Sequence, residues 1–316
     1  MPTNLSANEG KQTETLLELR CVAGWTDEIE KQLIFLGAIN IFLSLTALIG
    51  NTLILQALRK ESSLHPPSKV LYRCLATADL CVGLIAEPFQ VAFIFSLVHK
   101  NWRVCRIALA SVFIADYTLC SVSISTATII SVDRLLALLL GLRYRKVVTL
   151  KKAYVLLNIL WVVSIAAGTT YFVNHRIAIW YSFIGTPLCL VTATFSYTMI
   201  FFRLHHNQNH WQTHLLQRPN EPIPRSVARY RKVVYNTLWV QLAMVVCYLP
   251  YVITAAVLPG ERKSPSDFIF WTYAVTLVNF SSSLNPILYC WKIGEVRQAV
   301  KETVRRALCC SWSWLQ

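Results

Sequence analysis

Three charged residues interrupt an apolar stretch of the chain over 107–140. Asp116 lies near one end, and the neighbours Asp133 and Arg134 lie near the other. A helix rises about 1.5 Å per residue, so Asp116 and Arg134 would be about 27 Å apart on one helix face. A carboxylate can pair with a cationic ligand, and an adjacent acid and base can form an ionic switch. Charges inside a membrane are costly, and they normally mark such a pathway or switch.

The composition is that of an integral membrane protein. Hydrophobic residues make up 55% of the 316 residues and charged residues only 15%, which is too apolar for an ordinary soluble domain. The formal net charge is +14, but the basic residues cluster between apolar runs, as expected beside an anionic leaflet. We therefore expect membrane lipids, and not nucleic acid, as the partner of this charge.

Seven apolar stretches are each long enough to cross about 30 Å of hydrocarbon as a helix. They predict an all-α membrane protein, a seven-transmembrane helix bundle over 33–291. The polar segment 1–32 precedes it, and 292–316 follows as a cytoplasmic tail whose apolar stripe and basic face predict a short amphipathic helix on the inner leaflet. The predicted spans are 33–58, 70–96, 107–140, 153–173, 178–203, 233–258 and 268–291.

The loops predict the orientation of the bundle. Lys and Arg are concentrated in the segments 59–69, 143–152, 203–232 and 292–316. The positive-inside rule places these segments in the cytosol and the N-terminus outside. We therefore predict a multi-pass protein of the plasma membrane.

Asp79 is another unusual acid, because it lies within the second predicted span. An ionised carboxylate at this depth needs a partner. Hydroxyl and amide oxygens from the neighbouring spans would suit a small hard cation such as sodium. The alternative is a protonated Asp79 that is hydrogen-bonded to Asn285.

Six short motifs occur in order along the predicted spans. They are Asn51, Leu75 to Asp79, Ser131 to Leu135, Trp161, Cys247 to Pro250 and Asn285 to Tyr289. With these motifs, the chain over about 33–310 resembles rhodopsin-like (class A) G-protein-coupled receptors. The resemblance implies that Asp79, Ser123 and Asn285 form a sodium pocket.

The fifth span gives a narrower resemblance. Cys189 stands where this span of the family usually has proline, and the loop before the span is very short. Both features are similar to the cluster of melanocortin, adenosine, cannabinoid and lysophospholipid receptors.

The resemblance implies a receptor that passes an extracellular signal to a heterotrimeric G protein, without enzymatic activity and with no cofactor beyond an allosteric sodium ion. It implies that Arg134 rests against Asp133 and meets the G protein on activation. Tyr230 stands where many members carry an acid that faces this arginine, so we expect agonist-independent signalling. The implied coupling and activation residues are Asp133, Arg134, Tyr197, Asn285, Pro286 and Tyr289.

The same resemblance implies a ligand site. Asp116 stands where amine receptors hold the acid that binds the ammonium group of the ligand, and Tyr248 replaces the usual tryptophan of the sixth span. Asn279 replaces the tyrosine that amine sites add from the seventh span. The ligand therefore stays open among an amine, a peptide, a lipid and a nucleoside. The candidate ligand contacts are Asp116, Tyr248, Tyr251 and Asn279.

Covalent modifications are predicted at both ends of the chain. Asn4 begins a glycosylation sequon, and Cys309 and Cys310 follow the tail helix where palmitate would add an anchor. Cys21 and Cys105 are the two cysteines that lie outside on this topology, in an oxidising compartment. They form either a disulfide over the pocket or two free thiols.

Other functions are less consistent with the sequence. A secondary transporter is the chief alternative, because intramembrane charges and the kinks expected at Pro250 and Pro286 occur there as well, but no internal repeat is present. A retinal-binding receptor needs a lysine in the seventh span, and the stretch from Phe268 to Trp291 has none. The histidines near His206 lack carboxylate or cysteine companions, so we expect no metal site there.

Overall fold

The computed structural model describes residues 21, 26–60, 65–170, 175–217, 225–257, 264–292, 297–298, 300–302 and 305. These residues form helices and connecting turns, and no strand occurs among them. The all-helical prediction is therefore confirmed. The long helices are α1 (Thr26–Lys60), α2 (Pro66–Val98), α3 (Trp102–Leu140), α4 (Leu150–Thr169), α5 (His175–Gln217), α6 (Arg225–Val257) and α7 (Pro265–Lys292).

Within the described residues, five stretches are long and apolar enough to cross a membrane: Glu28–Arg59, Pro66–Val98, Trp102–Val147, Leu150–Thr169 and Trp180–Arg203. In α6, the residues whose side chains are described include an apolar stretch over Gln241–Val257. The helix α7 buries a row of polar side chains along its length. This row comprises Thr272, Thr276, Asn279, Ser281, Ser282, Ser283 and Asn285.

Local sequence signals explain where several helices begin and end. The side chain of Asn101 accepts a hydrogen bond from the backbone of Val104 at the start of α3, and Thr149 caps α4 in the same way. Such caps satisfy backbone donors that have no partner inside the helix. Gly141 ends α3 with φ at +49°, in the left-handed region that favours glycine.

The helix α2 contains a wider turn that places an acid inside the bundle. Pro66–Cys81 and Glu87–Val98 are α-helical, and Val82–Ala86 between them is π-helical. Pro88 lacks a backbone N–H and clashes with the preceding turn, which favours such an irregularity. Ser44 of α1 donates a hydrogen bond to the Gly83 carbonyl at 2.8 Å. Glu87, the first residue after the π-helical turn, is completely buried.

Candidate functional site

A cavity of about 90 Å³ lies between α3, α5, α6 and α7. Three of the four predicted ligand contacts, Asp116, Tyr248 and Tyr251, line it. Asn279 does not line it but lies fully buried, where its Oδ1 accepts a hydrogen bond from Cys120 Sγ at 3.5 Å. Asp116 therefore lies at the wall of a cavity, as a ligand contact must.

One end of this cavity is acidic. Asp116 Oδ1 is buried and has no hydrogen-bond partner among the described residues. Glu87 of α2 acts on Asp116 electrostatically, and neither of its buried carboxyl oxygens has a partner in the described part of the chain. Gln90 lies one turn after Glu87 on the same helix face, and its amide atoms are likewise buried and unpartnered there. The sequence reasoning missed Glu87 and Gln90.

The α5 side of the cavity carries hydroxyl groups. The Tyr181 hydroxyl lies 2.9 Å from Ser121 Oγ, and Ser121 lies 3.2 Å from Ser164 Oγ. Ser182 Oγ lies 3.1 Å from the Tyr251 hydroxyl. Hydroxyl groups donate and accept, so this side can bind either kind of polar ligand group.

Aromatic rings form the third part of the wall. Phe113 stacks on Tyr117 with ring centroids 5.8 Å apart and on Trp271 at 6.0 Å. All three residues line the cavity. Phe113 and Tyr117 are neighbours of Asp116 along α3, and Trp271 belongs to α7. A cation that pairs with Asp116 would also meet the negative faces of these rings.

The Asp79 carboxylate joins three helices beneath the cavity. Ser123 Oγ of α3 donates a hydrogen bond to Asp79 Oδ1 at 2.7 Å, and Asn285 Nδ2 of α7 donates to Oδ2 at 2.7 Å. The carboxylate, hydroxyl and amide groups form the donor set that a small hard cation prefers, so the residues fit a sodium ion.

The other end of α3 holds the acid–base pair. Tyr144 donates a hydrogen bond to Asp133 Oδ1 at 2.6 Å, and Ser68 donates to Oδ2 at 3.0 Å. Arg134 Nη2 lies 3.4 Å from the same Oδ2. Tyr197 of α5 is buried against Leu135, the residue after Arg134. Ser68 and Tyr144 are further residues that the sequence reasoning did not single out.

Comparison with known proteins decides the family. Residues 50–178 match the family described as "7 transmembrane receptor (rhodopsin family)". Melanocortin receptor 4 of Danio rerio is 24% identical over 295 residues, which are 89% of this chain and 86% of that protein. The chain is a rhodopsin-like (class A) G-protein-coupled receptor. The seven-transmembrane bundle and the receptor class predicted from the sequence are both confirmed, and the melanocortin relative belongs to the cluster that the fifth span resembles.

The extracellular end predicted for the receptor holds a disulfide bond. Cys21 and Cys105 are bonded, with a Cα–Cα distance of 6.0 Å. Both are buried among apolar residues of α1, α2 and α7, including Leu33, Phe93 and Phe268. The bond therefore attaches the start of the described chain to the first turn of α3.

Several predicted site residues lie outside the described part of the receptor. Asn4 and the pair Cys309 and Cys310 are among them. Tyr289 lies within α7, as Pro286 does, but its side chain is outside the description. The histidine segment continues the helix α5 as far as Gln217, and the described residues contain no cluster suited to a metal ion among His, Cys, Asp and Glu side chains.

Proposed function

We propose that this signalling receptor recognises a cationic extracellular ligand through Asp116 and transmits the signal to a heterotrimeric G protein through Arg134. The observation that carries the proposal is the buried Asp116 carboxyl oxygen, which faces the cavity without a partner in the described residues. A buried ionised carboxylate is costly unless it is paired. A ligand cation supplies that pair.

The residues that line the cavity support a positively charged ligand. Asp116 is the acid among them, and no Lys or Arg is present. An anionic group would therefore find no basic partner there, whereas a cation can pair with Asp116. The hydroxyl groups of Tyr181 and Ser182 at the α5 side would bind a polar group at the other end of the ligand.

The polar interior of the bundle supports a route from the ligand to the G protein. Tyr248 lines the cavity and lies 3.5 Å from Ser281 Oγ of α7. Asn285, further along α7, donates a hydrogen bond to Asp79. We propose that Asp79, Ser123 and Asn285 hold a sodium ion in the resting receptor, where the ion supplies the positive charge that Asp79 needs. Pro286 would give α7 the freedom to bend beside this site.

At the cytoplasmic end, Asp133 and Arg134 form the proposed switch, and Tyr197 and Tyr289 move toward Arg134 on activation. The proposed orientation puts the N-terminus outside the plasma membrane, with glycosylation at Asn4. The tail would lie on inner-leaflet lipids, anchored through Cys309 and Cys310. The cluster of basic loops on that side supports this arrangement.

A screen tests the proposal directly. A library of amines, peptides, lipids and nucleosides is applied to cells that express the receptor with several chimeric G proteins, and Arg134→Ala serves as the uncoupled control. The expected hit is a cation that raises nucleotide exchange in the receptor and not in Arg134→Ala. A normal response of Arg134→Ala would contradict the switch, and an uncharged ligand would contradict the ion pair. Flux of a labelled substrate into proteoliposomes would favour a transporter instead.

A further inference from the structure

Arg134 makes an ion pair with one neighbour and a cation–π contact with another. Its Nη2 atom lies 3.4 Å from Asp133 Oδ2, and its guanidinium carbon lies 5.6 Å from the centroid of the Tyr72 ring in α2. Its Nε and Nη2 atoms make no hydrogen bond within the described residues. Arg134 is thus held by one ion pair and one aromatic face.

The ion pair is shared with other donors. Tyr144 donates to one oxygen of Asp133, and Ser68 donates to the oxygen that faces Arg134. The 3.4 Å distance from Arg134 Nη2 to Asp133 Oδ2 is also longer than the roughly 2.7–2.9 Å of a charge-assisted hydrogen bond. Asp133 by itself is therefore an incomplete restraint on Arg134.

The helices opposite Arg134 offer it no other acid. Neither His175–Gln217 of α5 nor Arg225–Val257 of α6 contains an Asp or Glu residue. An ion pair with α6 therefore cannot hold Arg134 in this chain.

Tyr72 is suited to replace such an ion pair. Its side chain is only 9% exposed, and it is packed among core residues such as Leu58 and Leu75. The ring is therefore fixed in place, while the Arg134 side chain is 28% exposed. A guanidinium group over an aromatic face within about 6 Å gains a cation–π attraction, which strengthens as water is removed.

We propose that Tyr72 is a positioning residue that holds Arg134 in its resting place, so that α2 supplies the restraint that α6 lacks. The inference rests on the proposed role of Arg134. Departure of Arg134 toward the G protein would break the contact with the Tyr72 ring, so the contact stabilises only the resting receptor. A contact made in one state alone shifts the balance between the two states.

The test uses the full-length receptor in lipid nanodiscs, with agonist-independent nucleotide exchange on purified G proteins of several classes as the readout. Tyr72→Leu removes the ring and is expected to raise basal exchange by roughly twofold to thirtyfold, the range for a cation–π contact. Tyr72→Phe keeps the ring and loses only the hydroxyl, so it is expected to raise basal exchange less than Tyr72→Leu does. Tyr154→Leu is the matched control, because Tyr154 is 50% exposed on the surface of α4.

A fluorinated series separates the electrostatic contact from simple packing. Phenylalanines with one, two and three ring fluorines, placed at position 72, keep the shape of the ring while they reduce its negative face. Basal exchange is expected to rise with each fluorine. A flat series, or a surface-expressed Tyr72→Leu receptor with unchanged basal exchange, would overturn the proposal. The series decides the outcome if Tyr72→Leu does not fold.

Arg134→Ala distinguishes this inference from the proposed function. If Arg134→Ala abolishes exchange but the position 72 variants do not raise it, only the restraint is wrong. If Arg134→Ala couples like the unmodified receptor, the proposed role of Arg134 in coupling is wrong. The proposed role of Tyr72 in holding Arg134 is then wrong as well. If Arg134→Ala abolishes exchange and the position 72 variants raise it, both are supported.

Discussion

Ser123 Oγ donates a hydrogen bond of 2.7 Å to Asp79 Oδ1, which joins the middle of α3 to α2. Asn285 joins α7 to the other oxygen of the same carboxylate at the same distance. Asp79 is completely buried, and three helices meet at it. A change in the charge at Asp79 therefore acts on the packing of all three.

Sodium dependence is the first prediction from this arrangement. We expect sodium chloride, compared with equimolar choline chloride, to raise the thermal midpoint of the purified receptor and to lower its basal nucleotide exchange. Asp79→Asn removes the charge and should abolish both effects, because an amide cannot neutralise the ion. Ser44→Ala, which alters a hydroxyl of α1 bonded to the Gly83 carbonyl, should retain them. Identical behaviour of the unmodified receptor in the two salts would contradict the sodium site.

The acidic end of the cavity gives the second prediction. Asp116→Asn should weaken binding of a cationic ligand by roughly 10-fold to 150-fold, the range for a hydrogen bond to a charged group. Glu87→Gln should weaken it less, because Glu87 does not line the cavity. Radioligand or calorimetric titration of each variant measures the change.

Asp267→Asn is the matched control for these two variants. Asp267 is an acid of α7, in its first turn and not among the residues that line the cavity. Its replacement should leave the affinity unchanged. Equal losses in all three variants would point to a general effect of net charge, and no loss in Asp116→Asn would refute the ion pair.

The disulfide gives the third prediction. The Cys21 and Cys105 sulfur atoms are bonded across 84 residues of sequence, and closing such a loop limits the freedom of the unfolded chain. Cys105→Ser should lower the thermal midpoint of the receptor and should expose a free thiol at Cys21 to alkylation. Cys81→Ser serves as control, since Cys81 is a free, partly buried thiol. Unreduced peptides of the native receptor in which both cysteines are alkylated would exclude the bond.

The sequence was sufficient to predict features that depend on residues at fixed places in each helix. Asp79, Ser123 and Asn285 each occupy a motif position, and the structure brings them together. The long apolar runs likewise predicted helices, because a chain in lipid must satisfy its backbone polar groups internally.

Features that depend on the shape and packing of helices could not be predicted. The inward position of Glu87 follows from the π-helical turn Val82–Ala86, and an acid before a proline in an apolar run does not reveal that turn. The bonds from Ser68 and Tyr144 to Asp133 join three separate elements, so no local pattern indicates them. Asn279 was expected at the cavity from its place in α7, but it faces Cys120 instead.

The packing of α4 against α3 gives the last prediction. A Cβ atom added to Gly168 would overlap Thr118 Oγ1 and would lie 3.1 Å from the Ile114 carbonyl oxygen, whereas a Cβ at Gly185 would meet nothing within 4 Å. Gly168→Ala should therefore push α4 away from α3, at a cost of about 1–3 kcal/mol for overpacking. Gly185→Ala should leave stability unchanged or raise it by up to about 1 kcal/mol, since alanine favours a helix over glycine.

Thermal unfolding of the two purified variants, followed with a thiol-reactive dye or by circular dichroism, measures this difference. Both substitutions add one methyl group to a helix, so they differ only in the space that receives it. A fall in the midpoint for Gly168→Ala alone supports the close contact of α3 and α4. Equal midpoints for the two variants would show that Thr118 and the Ile114 backbone can move aside, and that this helix pair tolerates a larger separation than the structure shows.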